Sequence, residues 1–70
     1  MMVQIGNVRV WEAETNLIGD TSFHISTGNS NIAVPDIFVR TNSDKGKIQV
    51  FATHIASKVN ELVNLIEKTI

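Results

Sequence analysis

Residues 54–70 read HIASKVNELVNLIEKTI, and this segment constrains the rest of the chain more than any other. Large apolar residues recur there at the i, i+4, i+7, i+8 and i+11 positions of one helical face, and polar residues take the other side. Because such a stripe must be buried against another element, the pattern predicts an amphipathic helix over residues 54–69. Its apolar face comprises Ile55, Ala56, Val59, Leu62, Val63, Ile66 and Ile70.

Residues 2–12 predict a β-hairpin. Apolar residues fall at odd positions before Gly6-Asn7 and at even positions after it. Side chains alternate across a strand with a period of two, so one straight strand cannot hold both sets on one face. A two-residue turn at Gly6-Asn7 explains the change and pairs Ile5 with Val8. A β-bulge at the same dipeptide, within one long strand, is the alternative.

Two further segments predict strands. Residues 21–26 alternate between apolar and polar side chains, which is typical of a half-exposed strand. Residues 36–41 favour a strand that starts after Pro35, because proline has no N–H to donate to a sheet ladder. Residues 42–46 read NSDKG, which has the chemistry of a turn, and would join this strand to the next segment as a hairpin.

Residues 47–52 fit two structures. The helical stripe continues backwards through Phe51 and Ile48, so one helix could start near Asp44. Against this, Gly46 within its first turns would cost about 1 kcal/mol, and the run from Ile48 to Phe51 prefers strands. We therefore predict a strand over residues 47–52, followed by Thr53 as the helix N-cap.

These segments predict an α+β fold for residues 1–70 as a single domain. Strands within 2–12, 21–26, 36–41 and 47–52 form a small antiparallel sheet of hairpins, packed against one C-terminal amphipathic helix. A chain of 70 residues buries only about 60% of the surface that it exposes when unfolded. It has no cysteine, which excludes disulfides and thiolate zinc sites. Self-association is therefore the expected reinforcement.

The residues expected between subunits lie on the helix. Ile55, Val59, Leu62 and Ile66 have the 4-3-4 spacing of a coiled-coil seam, and Leu65 lies outside the main apolar arc. The self-association set is Val59, Leu62, Leu65 and Ile66. The alternative is that the main arc packs on the sheet and Leu65 is an ordinary exposed leucine.

The chain offers two sets of candidate contacts for a protein partner. Trp11 shares the polar face of the predicted hairpin, and tryptophan is a frequent anchor of protein interfaces. Coverage of Trp11 by the loop at residues 12–16 is the alternative. Arg40, Lys45 and Lys47 surround the predicted turn, where they could contact an acidic protein patch or phosphates. A solvated turn is the alternative for these basic residues.

A polar loop gives the candidate ligand site, at Ser26, Thr27, Gly28 and Asn29. Its backbone N–H groups and hydroxyls could hold a phosphate or another small ligand. The loop lacks the lysine and second glycine of a P-loop, so an ordinary solvated connection is the alternative.

The leading functional expectation is a non-enzymatic, homo-oligomeric protein-binding module, such as a small regulator or inhibitor of the kind encoded by mobile elements or phages. The sequence shows no combination of nucleophile, base and acid that is typical of a catalytic site. We also predict no cofactor and no metal site. A net charge of −1 does not favour nucleic acid or an anionic membrane as partner. The alternatives are a protein that sequesters a small ligand or nucleotide in pockets between subunits, and a weak nucleic-acid-binding protein.

The sequence also favours a cytoplasmic location. The first residues lack the basic and apolar regions of a secretory signal. No apolar run approaches the roughly 18 residues that a membrane span requires.

Overall fold

The sheet and the helix appear in the predicted arrangement. The computed structural model describes residues 1–15, 20–29, 31–40 and 47–69, except the side chains of residues 14 and 15. Within them, four strands form one antiparallel sheet in the order β1-β2-β3-β4, followed by a C-terminal helix, so the predicted α+β fold is confirmed. The elements are β1 Met2–Ile5, β2 Val8–Thr15, β3 Thr21–Ser26, β4 Ile37–Val39 and α1 Ile48–Thr69.

The N-terminal hairpin is confirmed in both turn and register. Ile5 lies opposite Val8, and Val3 lies opposite Val10. Gly6 has a φ of 59°, a backbone conformation that residues with a Cβ rarely adopt. This explains why glycine occupies the first turn position. The alternative of a bulge at Gly6-Asn7 is therefore wrong.

The middle strands follow the predictions with one change of length. β3 covers Thr21–Ser26 as predicted, and β4 covers Ile37–Val39, within the predicted residues 36–41. The turn predicted at residues 42–46 lies outside the described residues.

The strand predicted over residues 47–52 is wrong, because this segment belongs to α1 from Ile48 onwards. Ala52 is fully buried, and Ile48 and Phe51 pack against the core, so the helical stripe outweighs the local β preference. Thr53 is not an N-cap. Its Oγ1 donates to the carbonyl of Gln49 at 2.8 Å, one turn back within the helix.

The core lies between α1 and one face of the sheet. α1 contacts β1, β2 and β3, and its buried residues are small, so the helix backbone lies close to the strands. Leu62, which we expected on the buried face, is 49% exposed, because the buried stripe is centred to one side of it. The core residues are Val8, Val10 and Phe23 from the sheet, and Ala52, Ala56, Val59 and Val63 from the helix.

Candidate binding surfaces

The sheet face that points away from α1 carries large side chains in one row. The strand register aligns Met2 with Trp11 and Trp11 with His24. The rings of Trp11 and His24 lie 5.6 Å apart between centroids, tilted by 52°. Phe38, which pairs with Ser22 on the same face, is 58% exposed. We call this surface the open face.

A side-chain hydrogen bond lies at one end of this row. His24 Nδ1 lies 2.8 Å from Asp36 Oδ1, and both side chains are about half exposed. Contacts of this exposure contribute only about 0–1 kcal/mol to stability. The contact matters for geometry instead, because it holds the imidazole beside Trp11 and ties β3 to the start of β4.

The structure separates the residues predicted to bind a protein partner. Trp11 lies half-buried at the centre of the open face, beside a groove of about 490 Å³. Arg40 is exposed directly after β4, and Lys47 is exposed directly before α1. Lys45 lies outside the described residues. The ring that contacts Trp11 is the imidazole of His24.

One flank of α1 carries a second apolar surface. Leu62 and Leu65 are 49% and 61% exposed, whereas Phe51 and Ile55 on the same flank are half-buried against the core. Lys58 lies between the two pairs, and its Nζ is 3.6 Å from Glu61 Oε2. We call this flank the helix seam. It consists of residues spaced 4-3-4-3-4, namely Phe51, Ile55, Lys58, Leu62, Leu65 and Thr69.

The structure also divides the predicted self-association set. Val59 is only 8% exposed and packs in the core of its own subunit, and Ile66 is half-buried. Leu62 and Leu65 remain available for contact with another molecule. Phe51 was missing from our predicted set because we preferred a strand there, although the alternative of a longer helix continued the apolar stripe through it.

A polar cleft of about 570 Å³ opens at the end of the sheet, where the β1–β2 turn and the segment after β3 meet α1. We call it the asparagine cleft. It is lined by Gly6, Asn7, Val8, Thr27, Gly28, Asn29, Asn60, Val63, Asn64 and Glu67.

Hydrogen bonds and close packing hold the walls of this cleft. Thr27 Oγ1 accepts the N–H of Asn29 at 3.3 Å and donates to the carbonyl of Ile32 at 2.5 Å. Asn29 Nδ2 donates to Glu67 Oε1 at 3.3 Å, which links the loop to the helix. Gly28 has a φ of 70°, and a Cβ there would lie 3.2 Å from the backbone oxygen of Asn7. The two turns therefore approach each other at contact distance.

Three of the four residues in the predicted ligand loop line this cleft, namely Thr27, Gly28 and Asn29. Ser26 pairs with Arg9 and lines the groove on the open face, and all four loop residues also line a separate pocket of about 370 Å³. We did not predict the wall that α1 contributes to this cleft, which is formed by Asn60, Asn64 and Glu67. Their i, i+4, i+7 spacing was a usable signal, because it places three polar side chains on one flank.

Comparison with protein-family models, with curated proteins and with solved structures finds no match for this chain. Within the described residues, α1 is the one helix, and it is not apolar enough over its length to cross a membrane.

Proposed function

We propose that this protein is a non-enzymatic binding module that self-associates through its helix seam and presents its open face to another protein. The observation that carries the proposal is the exposure of Leu62 and Leu65 on one flank of α1. Contact with a second copy would remove these two neighbouring leucines from water, which lowers the free energy of the associated state. A symmetric homodimer is the commonest arrangement that meets this need.

The spacing of the seam favours antiparallel packing of the two helices. The 4-3-4-3-4 pattern is symmetric about position 60, so an antiparallel pair matches Ile55 with Leu65 of the partner subunit. The same pairing sets Lys58 against Leu62 of the partner subunit. The Lys58 stem can cover that leucine while its ammonium group stays near Glu61. Parallel packing would bring the two Lys58 side chains together, which like charges disfavour.

This dimer is expected to be weak and concentration-dependent. Each exposed leucine has about half of its surface left to bury, which corresponds to about 1 kcal/mol per side chain. Association must also offset at least about 4 kcal/mol of lost translational and rotational freedom. The four leucines of a dimer together contribute about 4 kcal/mol, which only balances this loss, so the net stability of the dimer must come from the other seam contacts and is small.

Sedimentation velocity over a range from micromolar to millimolar protein tests the dimer. We expect the wild-type mass to rise with concentration and Leu65→Glu to remain monomeric, because a carboxylate would be buried in the seam. Val50→Glu is the matched control, since Val50 is 51% exposed on the same helix but outside the seam. Lys58→Leu should tighten the dimer by adding apolar contact at its centre.

Two results would contradict the proposal. One is a wild-type protein that stays monomeric at every concentration. The other is a Leu65→Glu variant that associates as strongly as the Val50→Glu control.

The open face stays accessible in this dimer, because it lies on the side of the sheet opposite α1. It combines the exposed Phe38 with Trp11 and with the polar pair of His24 and Asp36. Aromatic side chains such as those of Phe38 and Trp11 are enriched at protein interfaces. We assign the protein-binding role to this surface, and we propose that the protein acts in the cytoplasm, which fractionation of native cells would test.

A further inference from the structure

The asparagine cleft collects amide groups that have no hydrogen-bond partner in the described part of the chain. These are the side-chain amides of Asn7, Asn60 and Asn64, which come from a turn and from two successive turns of α1. Each amide carries both donors and an acceptor. The cleft therefore offers several uncharged hydrogen-bonding groups that converge on one space.

The charge of the cleft argues against an anionic ligand. Glu67 is the one ionisable side chain among the lining residues, and it is held in place by the 3.3 Å bond from Asn29. A carboxylate repels phosphate, and no lysine or arginine is among the lining residues to offset it. The phosphate that we considered for the Thr27–Asn29 segment is therefore not the ligand that this cleft fits.

The floor of the cleft exposes almost no apolar surface. Val8 is fully buried and Val63 is 5% exposed, and both lie beneath the polar walls. At about 570 Å³, the space falls within the roughly 300–1,000 Å³ that is usual for small-molecule sites. A ligand for this site therefore needs many hydroxyl or amide groups for the polar walls, and apolar contact contributes little to its binding.

We propose that the asparagine cleft binds a neutral, polyhydroxylated ligand of the size of a mono- or disaccharide. A sugar hydroxyl both donates and accepts, as the asparagine amides do. The Glu67 carboxylate can accept from two neighbouring hydroxyls at once.

This site is independent of the proposed dimer. Asn60 and Leu62 are separated by about 200° around the helix axis, so the cleft and the seam lie on opposite flanks of α1. Saccharide binding and dimerisation can therefore succeed or fail separately.

Titration of the ¹⁵N-labelled full chain, followed by NMR, tests the proposal. The probes are glucose, galactose, mannose, N-acetylglucosamine and lactose, with inorganic phosphate as the anion probe. We expect at least one saccharide to cause saturable shifts in the amide side chains of Asn60 and Asn64 and in the backbone of residues 27–29. Phosphate should cause no saturable shift there.

Two variants locate the binding. Glu67→Gln should weaken the saccharide affinity about tenfold, because a neutral acceptor replaces a charged one. Glu61→Gln is the matched control on the same helix, since Glu61 is exposed outside the cleft and contacts Lys58. Both positions are exposed, so both variants should keep the wild-type spectrum.

The proposal is overturned if no saccharide gives saturable shifts at the cleft. It is also overturned if phosphate saturates the site, or if Glu67→Gln and Glu61→Gln bind the saccharide equally.

Discussion

Replacement of Thr53 by alanine tests where α1 begins. Thr53 is exposed in the second turn of the helix, and its Oγ1 donates to the Gln49 carbonyl at 2.8 Å. That carbonyl also accepts the backbone N–H of Thr53, so it stays satisfied after the hydroxyl is removed. Threonine in a helix interior is about 0.5 kcal/mol less favourable than alanine. We expect Thr53→Ala to stabilise the fold by about that amount.

If α1 began at residue 54 instead, the same substitution would have the opposite sign. Thr53 would then be the N-cap, and its loss would cost about 1 kcal/mol. For a domain of this size, the two cases correspond to melting temperatures about 2–4 °C higher or about 4–8 °C lower than wild type. Thermal and urea unfolding at one fixed protein concentration measure the difference, since self-association makes the midpoint depend on concentration.

Ser57→Ala is the matched control for this experiment. Ser57 lies inside the helix whether α1 begins at Ile48 or at residue 54, so alanine should be neutral or slightly stabilising in both cases. A loss of stability in Thr53→Ala with none in Ser57→Ala would refute the longer helix.

Two further predictions concern the turns and the open face. Gly28→Ala should destabilise the fold by more than the roughly 1–2 kcal/mol of a positive φ, because its Cβ would also meet the backbone oxygen of Asn7 at 3.2 Å. Gly6→Ala should cost less in urea unfolding, since its Cβ would meet the movable amide oxygen of Asn60, and equal losses for the two variants would contradict this reasoning. Phe38→Asp should abolish capture of a protein partner from native-host extract, whereas Val50→Asp, with similar exposure on α1, should retain it; equal capture by both would exclude the open face.

Local patterns in the sequence were sufficient to predict the N-terminal hairpin. The change of parity at Gly6-Asn7 involves neighbouring residues, and one turn satisfies it. Val3, Ile5, Val8 and Val10 then share a face without any knowledge of the rest of the chain. β3 was predictable for the same reason, because alternation over six residues indicates its inner face.

The start of α1 was not predictable from local preference. The segment from Ile48 to Phe51 is rich in residues that favour strands, and the energy that makes it helical comes from packing against distant residues. Ala52 is fully buried against the sheet, and it can reach that position only if the helical phase is kept from Ala56 backwards. Burial of this stripe is a tertiary effect, which short-range propensity does not contain.

The apolar residues of α1 show what hydrophobic periodicity can and cannot predict about a helix. The periodicity identified one apolar arc, but the structure divides that arc into a core stripe of small residues and an adjacent flank with Leu62. The two parts differ only by about one residue step of 100° around the axis. Which part faces the sheet depends on how closely the helix can approach it, and Ala52 and Ala56 allow the closest approach. The larger Leu62 and Leu65 are therefore left at the side, where they are exposed in the described part of the chain.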